Sequence, residues 1–216
     1  MKKLLLALPL AAGVLALTPS DEPYDLLITG GRVVDGTGAP WFVADVGIRG
    51  GKIAAVGPLA GRPAKKTLDA RGMYVSPGFI DLLGQSEYNV LVDKRAASKI
   101  TQGITTEVTG EGSSIAPLND AMLAEGKDVY QRYGFTPDFR TLGGYFQTFE
   151  RRGSAINLGT FVGAGTVRDF VIGKADRRAT PEELANHKEK VRPLLGLSQR
   201  IPFLQLVPAD TVPLAR

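Results

Sequence analysis

The hydrophobic positions of the chain fall into three regimes. From Leu4 to Leu17 they form an uncharged run rich in Leu and Ala, behind Met1-Lys2-Lys3 and ahead of the polar stretch Thr18-Pro19-Ser20-Asp21-Glu22-Pro23. From Tyr24 to Met73 they come in short pieces cut by glycine. Asp25-Leu26-Leu27-Ile28 leads into Gly30-Gly31, Arg32-Val33-Val34 into Asp35-Gly36-Thr37-Gly38, Asp45-Val46-Gly47-Ile48 into Arg49-Gly50-Gly51, and Lys52-Ile53-Ala54-Ala55-Val56 follows. Glycine supplies the positive φ of tight turns, so this spacing predicts strands and hairpins in a small β-rich module. After Tyr74 the period switches. Strands are predicted at Phe79–Leu83, which reads as buried, at Ile104–Val108 and at Ile156–Val162. Helices are predicted over Asp93–Ile100, Leu118–Tyr133, Thr141–Arg152, Thr166–Ile172 and Thr180–Val191. The last has Thr180 as N-cap, Pro181 at the first helical position and Glu182-Glu183 in the first turn. Strand then helix, repeated, implies a parallel α/β sheet. The tail over 193–216 has no clear period and is broken by Pro193, Pro202, Pro208 and Pro213.

The amino-terminal regime has the three-part layout of a secretory signal peptide, over residues 1–20. Its apolar run is short for a helix that must cross roughly 30 Å of hydrocarbon, so export to the periplasm or the exterior is expected, without a stable membrane anchor. Val14 and Ala16 are small enough for cleavage after Ala16, and no cysteine follows that could carry a lipid. The formal charge is +4, and Lys2 and Lys3 lie in the leader. So small an excess, without a run of Lys and Arg, gives no reason to expect a nucleic-acid partner. With no cysteine there are no disulfides and no thiolate ligands, and the fold rests on its core.

Four stretches taken together carry a family resemblance: Gly30-Gly31-Arg32-Val33-Val34-Asp35-Gly36-Thr37-Gly38, then Asp45-Val46-Gly47-Ile48, then Gly51-Lys52-Ile53-Ala54-Ala55-Val56-Gly57, then Pro77-Gly78-Phe79-Ile80-Asp81. In this order they resemble the opening of the metal-dependent amidohydrolase superfamily. Thr101-Gln102-Gly103-Ile104-Thr105-Thr106-Glu107-Val108-Thr109-Gly110 is similar to the second strand region of its N-acyl-D-amino-acid deacylase (D-aminoacylase) branch. The resemblance covers about Tyr24 to Val191. It implies a small β-sandwich module over residues 24–73, followed over 74–192 by a TIM-type (β/α) barrel. About three β/α units are visible where a closed barrel needs about eight. The expected fold is thus α/β, with an incomplete barrel and an irregular tail over 193–216.

The metal motif departs from the family pattern. The resemblance expects His-x-His after Ile80-Asp81, a pair that binds a divalent metal, whereas these positions are Leu83 and Gln85. It also expects a Cys shortly after Val108-Thr109-Gly110, where the chain has Glu111-Gly112-Ser113-Ser114. Glu111 is the residue there able to bind zinc, since a carboxylate can replace a thiolate at similar bond length. A surface-loop glutamate is the alternative. His187, the single histidine, reads as a solvated helix residue, and Ala164 stands where relatives often carry His. Asp81 could orient groups at a strand end or simply bond backbone. Asn119, Asp120, Glu125 and Asp128 read as a wet helix face. Arg151-Arg152 and Arg177-Arg178 could meet a substrate carboxylate, although exposed arginines are the commoner outcome.

The resemblance implies a hydrolase of non-peptide carbon–nitrogen bonds, such as those of N-acyl-D-amino acids. In such an enzyme zinc polarises the carbonyl and a carboxylate moves the proton to the leaving amine. The later ligands and the catalytic carboxylate of the family come from strands beyond the third. The chain is therefore expected to be inactive by itself and to bind zinc weakly or not at all. The competing expectation is a non-catalytic exported binding or scaffold protein.

Overall fold

A computed structural model describes residues 22–183 and the backbone strand 205–207. The leader, His187, most of the tail and most of the helix expected over Thr180–Val191 lie outside the described residues, and within the tail, expected to be irregular, Gln205–Val207 forms a strand. The chain divides into two units between Ser76 and Pro77.

In the first unit the glycine-cut pieces pair into one sheet. Strand β1 (Leu26–Val33) lies between β2 (Phe42–Arg49), antiparallel to it, and β4 (Thr67–Asp69), parallel to it. Strand β3 (Lys52–Gly57) pairs with β2 through the Gly50-Gly51 turn, where both glycines have positive φ, as such hairpins require. Strand β5 (Tyr74–Val75) pairs with β1, so these two residues join the first sheet rather than open the alternating region. Gly30-Gly31 is not a turn between strands. It is a bulge within β1, where the register to β2 shifts between Ile28 and Gly31 and Gly30 has φ 68°. The buried Asp45 carboxylate fixes this bulge, accepting the Gly30 N–H at 2.7 Å and the Leu59 N–H at 2.8 Å.

The second unit has the parallel order that the alternation implies. Strands β6 (Phe79–Asp81), β7 (Ile104–Thr109) and β8 (Asn157–Thr160) run parallel, and β9 (Gln205–Val207) pairs antiparallel with β8. Helices α1 (Asn89–Val92) and α2 (Ala97–Ile100) connect β6 to β7. Helices α3 (Asp120–Glu125), α4 (Lys127–Tyr133) and α5 (Leu142–Arg152) connect β7 to β8, and α6 (Ala164–Ile172) follows β8. Helix α5 is the packing centre. It starts where Thr141 Oγ1 accepts the Gly144 N–H at 3.0 Å and stops at Gly153, whose φ is 74°. Between these ends it buries Leu142, Tyr145, Phe146 and Phe149, the spacing of one helix face, against Leu91, Leu118, Ile156 and Leu158. Each such side chain contributes about 1.5–3 kcal/mol.

Other expectations are corrected. Asp93–Ile100 is not one helix: Asp93 accepts the Arg95 N–H at 3.1 Å and its guanidinium Nε at 2.9 Å, a local bond that competes with helix, and Ala96 takes φ 44°. Leu118–Tyr133 breaks at Gly126, and Asn119 is the N-cap of α3, its Oδ1 accepting the Met122 N–H at 2.9 Å, rather than part of a wet face. Phe79, Ile80, Leu82 and Leu83 were expected buried, yet they are 60–71% exposed. Strand β6 is an edge strand, and the described residues do not cover it. At the start of the last helix, Thr180 and Glu183 exchange reciprocal bonds, Thr180 N–H to Glu183 at 2.8 Å and Glu183 N–H to Thr180 Oγ1 at 3.2 Å.

Candidate functional site

Parallel strands bring their carboxyl ends to one rim, where open α/β sheets place ligands. In this rim Asp81 is the register partner of Glu107, so both carboxylates project from the same face. Lys99, on α2, reaches between them. Its Nζ donates to Asp81 Oδ2 at 2.6 Å and lies 3.5 Å from Glu107 Oε1. Burial works against the Lys99 ammonium, but the bond to Asp81 and the Glu107 charge outweigh it and raise its pKa. The Lys99 bond, aided by the Leu83 N–H at 3.1 Å, holds the Asp81 carboxyl below its usual range.

Glu107 is 0% exposed. Its Oε1 accepts the Ser86 N–H at 3.0 Å, and its Oε2 has no partner among the described residues. Gly84 lies flat against it: the Gly84 N–H donates to Val108 O at 3.0 Å, and a Cβ there would overlap the Glu107 carboxylate. Glu87, also buried, has its carboxyl pushed up by burial and by the Glu107 charge, against the pull of a hydrogen bond with Thr109. The fully buried Tyr145 hydroxyl donates to Glu87 O at 3.1 Å.

Above this cluster lies an open cleft of about 400 Å³. Leu83, Gln85, Glu87 and Tyr88 line one side, and the loop from Gly110 to Ile115 lines the other. Glu111 is exposed in that loop, whose conformation is fixed from the β8–α6 connection. The Gly165 N–H donates to Gly112 O at 2.9 Å, the Gly163 N–H to Ser114 Oγ at 3.0 Å and the Ser114 N–H to Thr166 Oγ1 at 2.7 Å. Ala164, at the start of α6, is exposed.

The structure thus brings Leu83, Gln85 and Glu111 to one cleft, as their placement after strands β6 and β7 implies. It does not surround Glu111 with donors: among the described residues no three of His, Cys, Asp and Glu are grouped to hold a metal ion. These residues do not by themselves fit zinc, which takes about three protein ligands. Arg151, Arg152 and Arg177 are engaged elsewhere. Arg151 pairs with Asp138 at 2.6 Å, Arg152 Nε donates to Leu91 O at 2.8 Å, and Arg177 forks onto Glu183 at 2.7 and 2.8 Å. The sequence reading missed Lys99, Glu107 and Glu87. Glu107 carried a usable signal, a lone carboxylate inside the strand Ile104-Thr105-Thr106-Glu107-Val108, since a charge there must find a partner.

Comparison with known proteins bears on what this rim is for. No family model matches the chain. It is 37% identical over 165 residues to the D-aminoacylase of Alcaligenes xylosoxydans xylosoxydans, a match covering 76% of the chain and 34% of that protein. It is 39% identical over 148 residues to the N-acyl-D-glutamate deacylase of the same organism, covering 68% and 30%. Among solved structures, a D-aminoacylase with a binuclear metal centre superposes with TM-score 0.68 at 35% identity, covering 80% of this chain and 36% of that one. The Bordetella bronchiseptica N-acyl-D-glutamate deacylase, complexed with zinc and a phosphonate inhibitor, gives TM-score 0.68 at 33% identity, covering 81% and 37%. The chain spans about a third of the length of the relatives it matches. Sequence and fold together place it in the D-aminoacylase and N-acyl-D-amino-acid deacylase group of amidohydrolases.

Proposed function

We propose that the chain supplies the opening β-sandwich module and the first strands of a TIM-type barrel to an exported amidohydrolase that cleaves the amide bond of N-acyl-D-amino acids. The observation that carries this reading is 37% identity to a D-aminoacylase across three-quarters of the chain, joined to the parallel order of β6, β7 and β8. The cleft between the 83–88 segment and the 110–115 loop is where an acyl-amino acid would lie, with Leu83 and Tyr88 offering apolar surface to the acyl group. Glu111 is the carboxylate this chain offers a metal there, the other ligands coming from outside the described residues. The leader over residues 1–20 directs export and is removed near residue 17.

The test is hydrolysis of N-acetyl-D- and N-acetyl-L-amino acids by the 216-residue chain and by a protein in which it is continued by the remaining length of a D-aminoacylase. The chain alone should show no turnover, and the longer protein should prefer the D series. A folded longer protein that hydrolyses neither series would overturn the reading. For export, the native protein should lack residues 1–16 and be recovered outside the cytoplasm; cytosolic protein with Met1 intact would overturn that part.

A further inference from the structure

The residues on which the family resemblance expects a metal-binding pair, Leu83 and Gln85, lie in a segment that this chain fixes by other means. We infer that the buried Glu107 carboxylate, held by Lys99, fixes the 82–87 segment in the role that a divalent cation plays at such strand ends, so that this side of the cleft is built without metal.

Three observations meet on Glu107. It is wholly buried on β7, the central one of the three parallel strands, yet it is ionisable, so its charge must be balanced from within the protein. The Lys99 ammonium balances it from 3.5 Å while bonding Asp81 at 2.6 Å, which places one fixed cation between two carboxylates on paired strands. Its Oε1 then grips the backbone of the next segment through the Ser86 N–H at 3.0 Å, and Gly84 packs so closely that no larger residue fits. A metal ion at such a place has the same duties: it neutralises carboxylates and fixes the loop that bears its ligands. With Leu83 and Gln85 in place of imidazoles those duties pass to an ammonium on α2 and a carboxylate on β7. Glu107 is therefore a positioning residue. The proposal stands apart from the catalytic reading, because it concerns the shape of the cleft wall rather than turnover.

Amide hydrogen exchange on the 216-residue chain tests it, with the amides of α5 as the control for the fold. In the parent chain, Ser86 should be protected equally after dialysis against EDTA and after addition of zinc. Glu107→Ala and Lys99→Met should each speed Ser86 exchange by at least about tenfold while α5 stays protected. Lys99→Arg, which keeps the charge, should restore most of the protection. Loss of Ser86 protection with EDTA, or a marked gain with zinc, would show that metal organises the segment and would overturn the proposal. So would unchanged Ser86 exchange in Glu107→Ala. Should Glu107→Ala lose α5 protection as well, Glu107→Gln keeps the shape without the charge. Faster Ser86 exchange with α5 intact in that variant supports the proposal. Parental exchange, or a general loss of protection, counts against a local role for the charge.

Discussion

Glu87 and Asp81 are a few residues apart and respond to pH in opposite directions. Burial raises the Glu87 pKa above the ordinary 4.5, with the Glu107 charge adding to it. Its contribution to stability is therefore fully present below about pH 4.5 and is lost as pH rises through the folded-state value. Asp81, lowered from 3.8 by Lys99, contributes above its unfolded pKa and loses that contribution as pH falls through its folded value. Glu87→Gln removes the first effect alone. Urea unfolding should show the variant and parent nearly equal near pH 4, with the variant's advantage growing toward pH 8. A constant gap would mean that Glu87 does not titrate differently on folding. Tyr145→Phe tests the neighbouring bond: it leaves the Glu87 carbonyl without its buried donor and should cost about 1 kcal/mol in the same assay.

Among the elements, α5 was legible because every local signal agreed. Thr141 caps it, Leu142, Tyr145, Phe146 and Phe149 form one face, and Gly153 ends it. Thr141→Ala should cost about 1 kcal/mol and Phe149→Ala about 3–5 kcal/mol, read from chemical denaturation. The smaller loss comes from leaving the Gly144 N–H without its acceptor at a part-buried helix end, the larger from a cavity in the core. Where local signals conflicted, the reading failed for identifiable reasons. Asp93 bonds Arg95 and splits the expected helix, and Gly30 turns inside a strand because Asp45, distant in sequence, holds its N–H. Phe79, Ile80 and Leu83 have the apolar run of a buried strand. Burial depends on what covers a strand, and no described residue covers this one. The rim was half legible for the same reason. The cleft placement of Glu111 follows from its position just after β7, whereas the bridge from Lys99 to Glu107 depends on register between strands, which no local pattern encodes.

At the scale of the whole molecule, the chain presents a cleft at the carboxyl ends of its parallel strands and spans about a third of the length of its relatives, among which a D-aminoacylase has a binuclear metal centre. Zinc needs about three strong protein ligands, and Glu111 is a single exposed carboxylate with no grouped partners among the described residues. The 216-residue chain dialysed against zinc and then buffer should therefore retain much less than one zinc per molecule, measured by elemental analysis. Glu111→Ala should leave that small content unchanged. In a longer protein carrying the same Thr109-Gly110-Glu111-Gly112 loop the expectation reverses. The loop is already fixed by Gly163, Gly165 and Thr166, so Glu111 is presented to the cleft in advance, and additional strands need only bring imidazoles to it. There Glu111→Ala should remove metal and turnover together, and Glu111→Asp, one methylene shorter, should weaken both. A full zinc complement with normal turnover in Glu111→Ala would make Glu111 a loop residue. The ligands would then all come from elsewhere, leaving this chain to contribute the shape of the cleft and none of its metal.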